Sequence, residues 1–193
     1  SSDLISHAYI KVGDSSDNFY NYQLTPIGKA HLRLFKYLDL KIDFLYTLNG
    51  YNSNDISSTA SLSWKFNNKH LVSIKSAFYR YQPDYFYTYY FANTYQWNNP
   101  NLRKQQHIQL GLEWQYENYF VNINYYSLRN TTMLQENMSV FQLNKSANVL
   151  QFATWVPFRY KGFGFDANVY LQYCDNSSLQ MPWLATRESI FYG

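Results

Sequence analysis

Residues able to do chemistry are spread thinly along this chain, and none of them clusters as an active site would. The four histidines are His7, His31, His70 and His107. None stands near Ser and Asp in a spacing that would build a nucleophile with its base. Asp39 and Asp43 share a face of a predicted strand, but about 13 Å of strand separates them, too far for a glycosidase pair. With no phosphate loop, nucleotide fingerprint or Cys/His metal spacing, the sequence predicts no enzyme, cofactor or metal.

The charged residues have a different pattern, because they recur on the polar side of segments whose other side is apolar. Together with Asn and Gln, they could wet a channel and set its selectivity. The alternative is that opposite charges cross-link a filled barrel. The lumen-lining candidates are Arg33, Asp39, Lys41, Asp43, Lys65, Lys75, His107, Glu113 and Asp166.

The elements that carry these residues alternate apolar and polar side chains with a period of two, which predicts β-strands. The clearest runs are Leu38–Leu48, Ile56–Phe66, His107–Tyr116 and Phe163–Tyr173. They are longer than the roughly five or six residues of an average globular strand. They match the roughly 9 to 11 residues of a tilted transmembrane strand.

Short and long connections alternate along the chain. Tight turns are predicted near residues 36, 68, 117 and 160, and long loops near residues 13–27, 49–55, 82–105, 129–146 and 174–184. Short turns on one side and long loops on the other are typical of outer-membrane barrels. Aromatic residues collect at both ends of the predicted strands, as they do in barrels whose rings lie at the two membrane interfaces.

Hairpin register gives a consistency check, because residues opposite each other must point to one face. The four turns predict the pairs Leu34–Leu38, Phe66–His70, Tyr116–Tyr119 and, across a four-residue turn at Arg159–Gly162, Phe158–Phe163. All four hairpins then keep a single apolar face.

Composition favours strands with one lipid face and one wet face. Aromatic residues make up 21% of the 193 residues and charged residues only 15%, against about 25% in an average soluble domain. Mean hydropathy is nevertheless −0.47. The net charge of +3, without a Lys/Arg cluster, gives no case for a nucleic-acid partner. A single cysteine, Cys174, excludes an internal disulfide.

Residues 78–99 carry a family resemblance. The segment from Phe78 to Tyr87 reads FYRYQPDYFY, and the segment from Tyr89 to Asn99 reads YYFANTYQWNN. This pattern resembles the putative porin family of Bacteroidetes outer membranes, with Ala92 in place of a Ser and Asn98 in place of an Asp. The resemblance implies a β-barrel in the outer membrane of a Gram-negative bacterium. Members of that family are longer, which favours a barrel fragment.

The loop over residues 82–105 is the longest and the richest in aromatic residues. One interpretation is an aromatic platform for sugars, or a constriction folded into the lumen. The other is a loop that packs its own rings as a lid. The platform candidates are Tyr85, Tyr87, Tyr90, Tyr95 and Trp97.

The sequence therefore predicts an all-β fold: an antiparallel up-and-down transmembrane β-barrel with about ten strands in this chain. Residues 1–193 form one barrel domain or part of a larger barrel. The expected partners are the lipid bilayer of the outer membrane and small polar solutes that pass through passively. The first alternative is a non-conducting barrel that serves as an anchor or binding platform through its loops. The second is a soluble β-rich carbohydrate-binding domain. The oligomeric state stays open.

Overall fold

The computed structural model describes residues 2–10, 20–34, 36–66, 69–179 and 181–192. Ten long strands form one antiparallel sheet, which confirms the predicted all-β fold and strand number. These strands are β1 (Ser2–Ile10), β2 (Tyr20–Leu34), β3 (Leu38–Tyr46), β4 (Ile56–Phe66), β5 (His70–Tyr81), β8 (Gln105–Tyr116), β9 (Tyr119–Arg129), β12 (Ala147–Tyr160), β13 (Phe163–Cys174) and β14 (Leu184–Tyr192).

The sheet is a meander in which each long strand pairs with the long strands before and after it in the chain. Over the described residues it is open, with β1 and β14 as its two edges. The predicted long loops over 82–105 and 129–146 contain small elements of their own. These are the four-residue helix α1 (Tyr85–Thr88), the hairpin β6 (Tyr89–Phe91) with β7 (Gln96–Asn98), and the hairpin β10 (Thr132–Leu134) with β11 (Val140–Gln142).

Three of the predicted hairpin registers are confirmed. Leu34 lies opposite Leu38, Phe66 opposite His70, and Tyr116 opposite Tyr119. Phe35, Asn67 and Asn68, which belong to two of the predicted turns, lie outside the described residues. The pairs on either side of those turns fix their lengths, so the tight turns share one end of the sheet and the long loops share the other.

The fourth turn is shorter than predicted. Tyr160 lies opposite Phe163, which leaves Lys161 and Gly162 as a two-residue turn. Both have positive φ, 43° for Lys161 and 84° for Gly162. Positive φ at both central positions is the type I′ geometry, which matches the twist of the two strands it joins. The four-residue turn predicted there was wrong, but the register shift is even, so the side chains keep their faces.

The first predicted loop is also corrected, because β2 begins at Tyr20 and residues 20–27 belong to a strand. Pro26 lies within this strand, and a proline normally argues against one because it gives no N–H to the ladder. That rule hid the alternation that continues back from Leu34. The rest of the predicted loop, up to residue 19, lies outside the described residues.

The two faces of the sheet differ in polarity and in crowding. On the apolar face Ile74 is 56% exposed, whereas its neighbour Ser73 on the polar face is 2% exposed. Residues in a strand alternate between faces, so the two values compare the faces at one height. Crowding on the polar side indicates that the sheet curls toward that side.

Aromatic rings form rows on the apolar face at the tight-turn end. Phe66, His70, Tyr116 and Tyr119 follow one another across four strands in register. The ring centres of His70 and Tyr116 are 4.5 Å apart, and those of Tyr116 and Tyr119 are 6.3 Å apart. The sequence predicted aromatic residues at strand ends, and the register joins them into a continuous band.

Candidate functional site

The candidate site is the polar face of the ten-stranded sheet. Cross-strand partners point to one face, and the register places all nine lumen-lining candidates on that face. Arg33 lies opposite Asp39, Lys41 opposite Ser61, and Lys75 opposite Gly111. The same face continues through the other candidates, Asp43, Lys65, His107, Glu113 and Asp166.

Ion pairs on this face run diagonally between neighbouring strands. Lys75 Nζ lies 2.7 Å from Glu113 Oε2, although each faces a different residue directly across the ladder. Arg159 Nη1 donates to Asp166 Oδ1 at 2.7 Å. Diagonal neighbours on adjacent strands have backbones about 7–8 Å apart, a distance that long side chains can span. The sequence predicted the residues and the face, but not Arg159 as the partner of Asp166.

His31 and Asp39 form a third contact, 2.6 Å from imidazole Nε2 to carboxylate Oδ1. Asp39 also lies directly opposite Arg33. Both partners belong to β2, and the hydrogen bond with His31 fixes the position of the carboxylate.

His107 lies near the long-loop end of the polar face, away from these ion pairs. It lies within 3.3 Å of the Tyr81 hydroxyl, and the two rings meet edge-on with centres 5.2 Å apart. Its direct partners across the ladder are Tyr79 and Leu128. These contacts pack the imidazole against the Tyr81 ring, and among the described residues no carboxylate is bonded to it.

The apolar face is almost free of charge over the described strands. Arg80 and Arg129 stand on it at the long-loop end, on either side of Gln106 in one row. Glu188, in the edge strand β14, lies opposite Ala167 on the same face. Long basic side chains at the ends of spanning segments reach toward the interface, so the two arginines fit the boundary of a lipid band.

The long aromatic loop packs largely on itself. Tyr90 and Trp97 lie opposite each other in the β6–β7 hairpin and stack with ring centres 4.5 Å apart. Trp97 Nε1 donates to the Phe86 carbonyl at 2.7 Å, and the Phe86 ring meets the Trp97 ring edge-on. Two members of the predicted platform thus cover each other.

The remaining platform candidates have separate neighbours. Tyr85 meets Tyr51 edge-on with ring centres 5.5 Å apart, and Tyr87 meets Phe86 in the same way at 5.5 Å. Tyr95 is 47% exposed. The residue types predicted an aromatic loop, but ring packing decides which rings are available to a ligand.

Three long loops are joined by an ion pair and by hydrogen bonds that the sequence did not predict. Lys104 Nζ contacts the Asp55 carboxylate and donates to the Ser53 carbonyl at 2.6 Å. The backbone N–H of Gln82 donates to Asp55 Oδ1 at 2.9 Å, and Asn130 Nδ2 donates to the Lys104 backbone carbonyl at 3.0 Å. Burial raises the pKa of Asp55 above its ordinary value despite the neighbouring ammonium. No motif announces this contact, because its partners are 49 residues apart.

The sequence of this chain matches a known protein family. A family model described as a putative porin matches residues 5–193. The chain belongs to this putative porin family. A search of curated proteins found no match.

In this porin-family chain, the polar face carries more charged residues than the sequence predicted. The register adds Lys29, opposite Asp43, and Arg187, opposite Asn168, to the polar face. Lys29 lies between the predicted loop over 13–27 and Arg33, and Arg187 lies in β14, beyond the last predicted alternating run at Phe163–Tyr173. Extending the alternation backward from Arg33 would have found Lys29.

Two features are absent from the described part of this porin-family chain. No group of three or more His, Cys, Asp or Glu side chains is arranged to hold a metal ion there. Among the helices described, none is long and apolar enough to cross a bilayer.

Proposed function

We propose that this chain forms the wall of an outer-membrane porin that lets small polar solutes pass passively. The observation that supports this is the segregation of charge between the two faces. Eleven Lys, Arg, Asp and Glu residues of strands β2–β14 lie on the polar face, and three lie on the apolar face. A wall with lipid on one side and water on the other needs this arrangement, because a charge facing hydrocarbon is costly.

A sheet that spans a membrane also needs partners for its two edge strands. Backbone N–H and C=O groups on the free sides of β1 and β14 would each cost several kcal/mol within the bilayer. We therefore propose that these edges pair, with each other or with further strands of the protein. The tight turns then face the periplasm and the long loops face outward, as in other barrels of this kind.

Conductance of the intact protein in planar lipid bilayers tests the proposal. The expected result is a steady, salt-dependent current in discrete steps for each inserted molecule. A correctly folded protein that inserts and stays silent would overturn passive passage. Folding is checked independently by the shift in gel mobility between unheated and boiled samples.

A second candidate, a non-conducting binding platform, is supported by the order of the loop layer. Lys104, Asp55, Gln82 and Asn130 join three loops into one network. Such a layer could close the pore and present a fixed surface. Removing residues 84–99 while keeping the network would discriminate. A silent barrel that begins to conduct after this deletion supports the platform, and equal conductance before and after supports the porin.

A further inference from the structure

Charge on the polar face is unbalanced. Over strands β2–β14 it carries seven Lys and Arg side chains against four Asp and Glu, a net of +3 from seven minus four. The seven cations are Lys29, Arg33, Lys41, Lys65, Lys75, Arg159 and Arg187, and the four acids are Asp39, Asp43, Glu113 and Asp166.

Pairing leaves the net charge of the face unchanged and decides which side chains carry the excess. Glu113 and Asp166 are held by Lys75 and Arg159, and Asp39 by His31. Asp43 is then the one acid among the four that forms no ion pair within the described part of the chain. Five cations form none there: Lys29, Arg33, Lys41, Lys65 and Arg187.

Three of these unpaired cations are exposed and close enough for their fields to overlap. Lys41 lies directly opposite His31. Lys29 and Arg33 stand two residues to either side of His31, so they are diagonal neighbours of Lys41, about 7–8 Å away. The Debye length is about 8 Å in physiological salt, so their potentials add across the water beside the wall.

We infer that the proposed passage prefers small anions, such as chloride and solutes bearing a carboxylate or phosphate group. This inference rests on the proposed porin function. Fixed charges lining a water-filled path raise the concentration of ions of opposite sign and exclude those of like sign. About three net charges one Debye length from the path give an anion enrichment on the order of threefold.

The test is the reversal potential of the intact protein in planar bilayers under a tenfold KCl gradient. The expected sign is that of chloride preference, with a permeability ratio that falls toward one in high salt. K41Q/K65Q should lower the ratio, and K41E/K65E should reverse the preference. R80Q/R129Q removes the same charge from the apolar face and is the matched control, which should keep the wild-type ratio.

The outcomes separate this inference from the porin function. Discrete conductance with potassium preference, or with no preference, overturns the anion inference and leaves the porin function standing. An unchanged ratio in a folded, conducting K41Q/K65Q variant also overturns the inference, because Lys41 and Lys65 then do not line the path. Absence of conductance in the folded wild type overturns the porin function itself.

Discussion

Replacing Leu110 with arginine tests which face of the sheet meets lipid. Leu110 is 52% exposed on the apolar face, and its neighbour Gln109 lies on the polar face opposite Ala77 and Tyr126. Strand β8 has 12 residues. At about 3.4 Å per residue and a tilt of about 40°, it rises roughly 29 Å. Leu110 then lies within about 2 Å of the middle of the strand, which in the proposed membrane-spanning wall is near the centre of the hydrocarbon.

The depth sets the expected cost. An arginine on the lipid face at the midplane destabilises a barrel by about 2–4 kcal/mol, and the cost falls to about 0–1 kcal/mol near the interfaces. We expect L110R to lose about 2–4 kcal/mol and Q109R less than about 1 kcal/mol. The assay is reversible urea unfolding of the intact protein in lipid vesicles, followed by tryptophan fluorescence.

The matched pair decides the result. Gln109 and Leu110 are neighbours, so their depth, backbone and introduced charge are nearly the same and only the face differs. Equal losses for the two variants, or a larger loss for Q109R, would refute the assignment of the apolar face to lipid.

Two further predictions concern the loops. K104M should leave the Asp55 carboxylate buried without its ammonium, at a cost on the order of 1–3 kcal/mol, and should speed proteolysis within residues 82–104. K145M, at an exposed lysine, is the control. The double variant D55N/K104M should recover part of the lost stability. Equal cleavage rates in K104M and K145M would contradict a stabilising role for the Lys104–Asp55 ion pair. Two hydrogen bonds from Asn148 lower the pKa of Asp175 below its ordinary 3.8, so this contact is fully present above that value and is lost as pH falls through the lowered pKa. The hydrogen-exchange rate of the 175–183 loop, corrected for its intrinsic pH dependence, should rise in that range. D175N should show the same raised exchange rate at neutral pH. A corrected rate that does not change with pH would contradict the prediction.

Strand prediction succeeded where a local rule decided the outcome. Alternation along Ile56–Phe66 gave β4 with the observed bounds, and the Tyr116–Tyr119 pair followed from a two-residue turn. It failed at Pro26, where a residue unfavourable to strands sits inside one. It also failed at Lys161 and Gly162, whose positive φ angles made the turn shorter than its composition indicated.

The loops were the least predictable part of the candidate site. Tyr90 and Trp97 are platform candidates by residue type, yet their rings stack on each other in the β6–β7 hairpin. Lys104 and Asp55 were not named at all, because an ion pair between two loops has no period and no fixed spacing.

The sequence by itself determined most of the strands, their two faces and which residues share each face, because a period of two and short turns are local properties of the chain. Only the tertiary structure decided which charges are neutralised. Lys75 pairs with Glu113 and Arg159 pairs with Asp166 across diagonal positions, whereas Lys41 and Lys65 form no ion pair within the described residues. That difference depends on the stagger between neighbouring strands, and it decides which side chains carry the excess positive charge of the polar face.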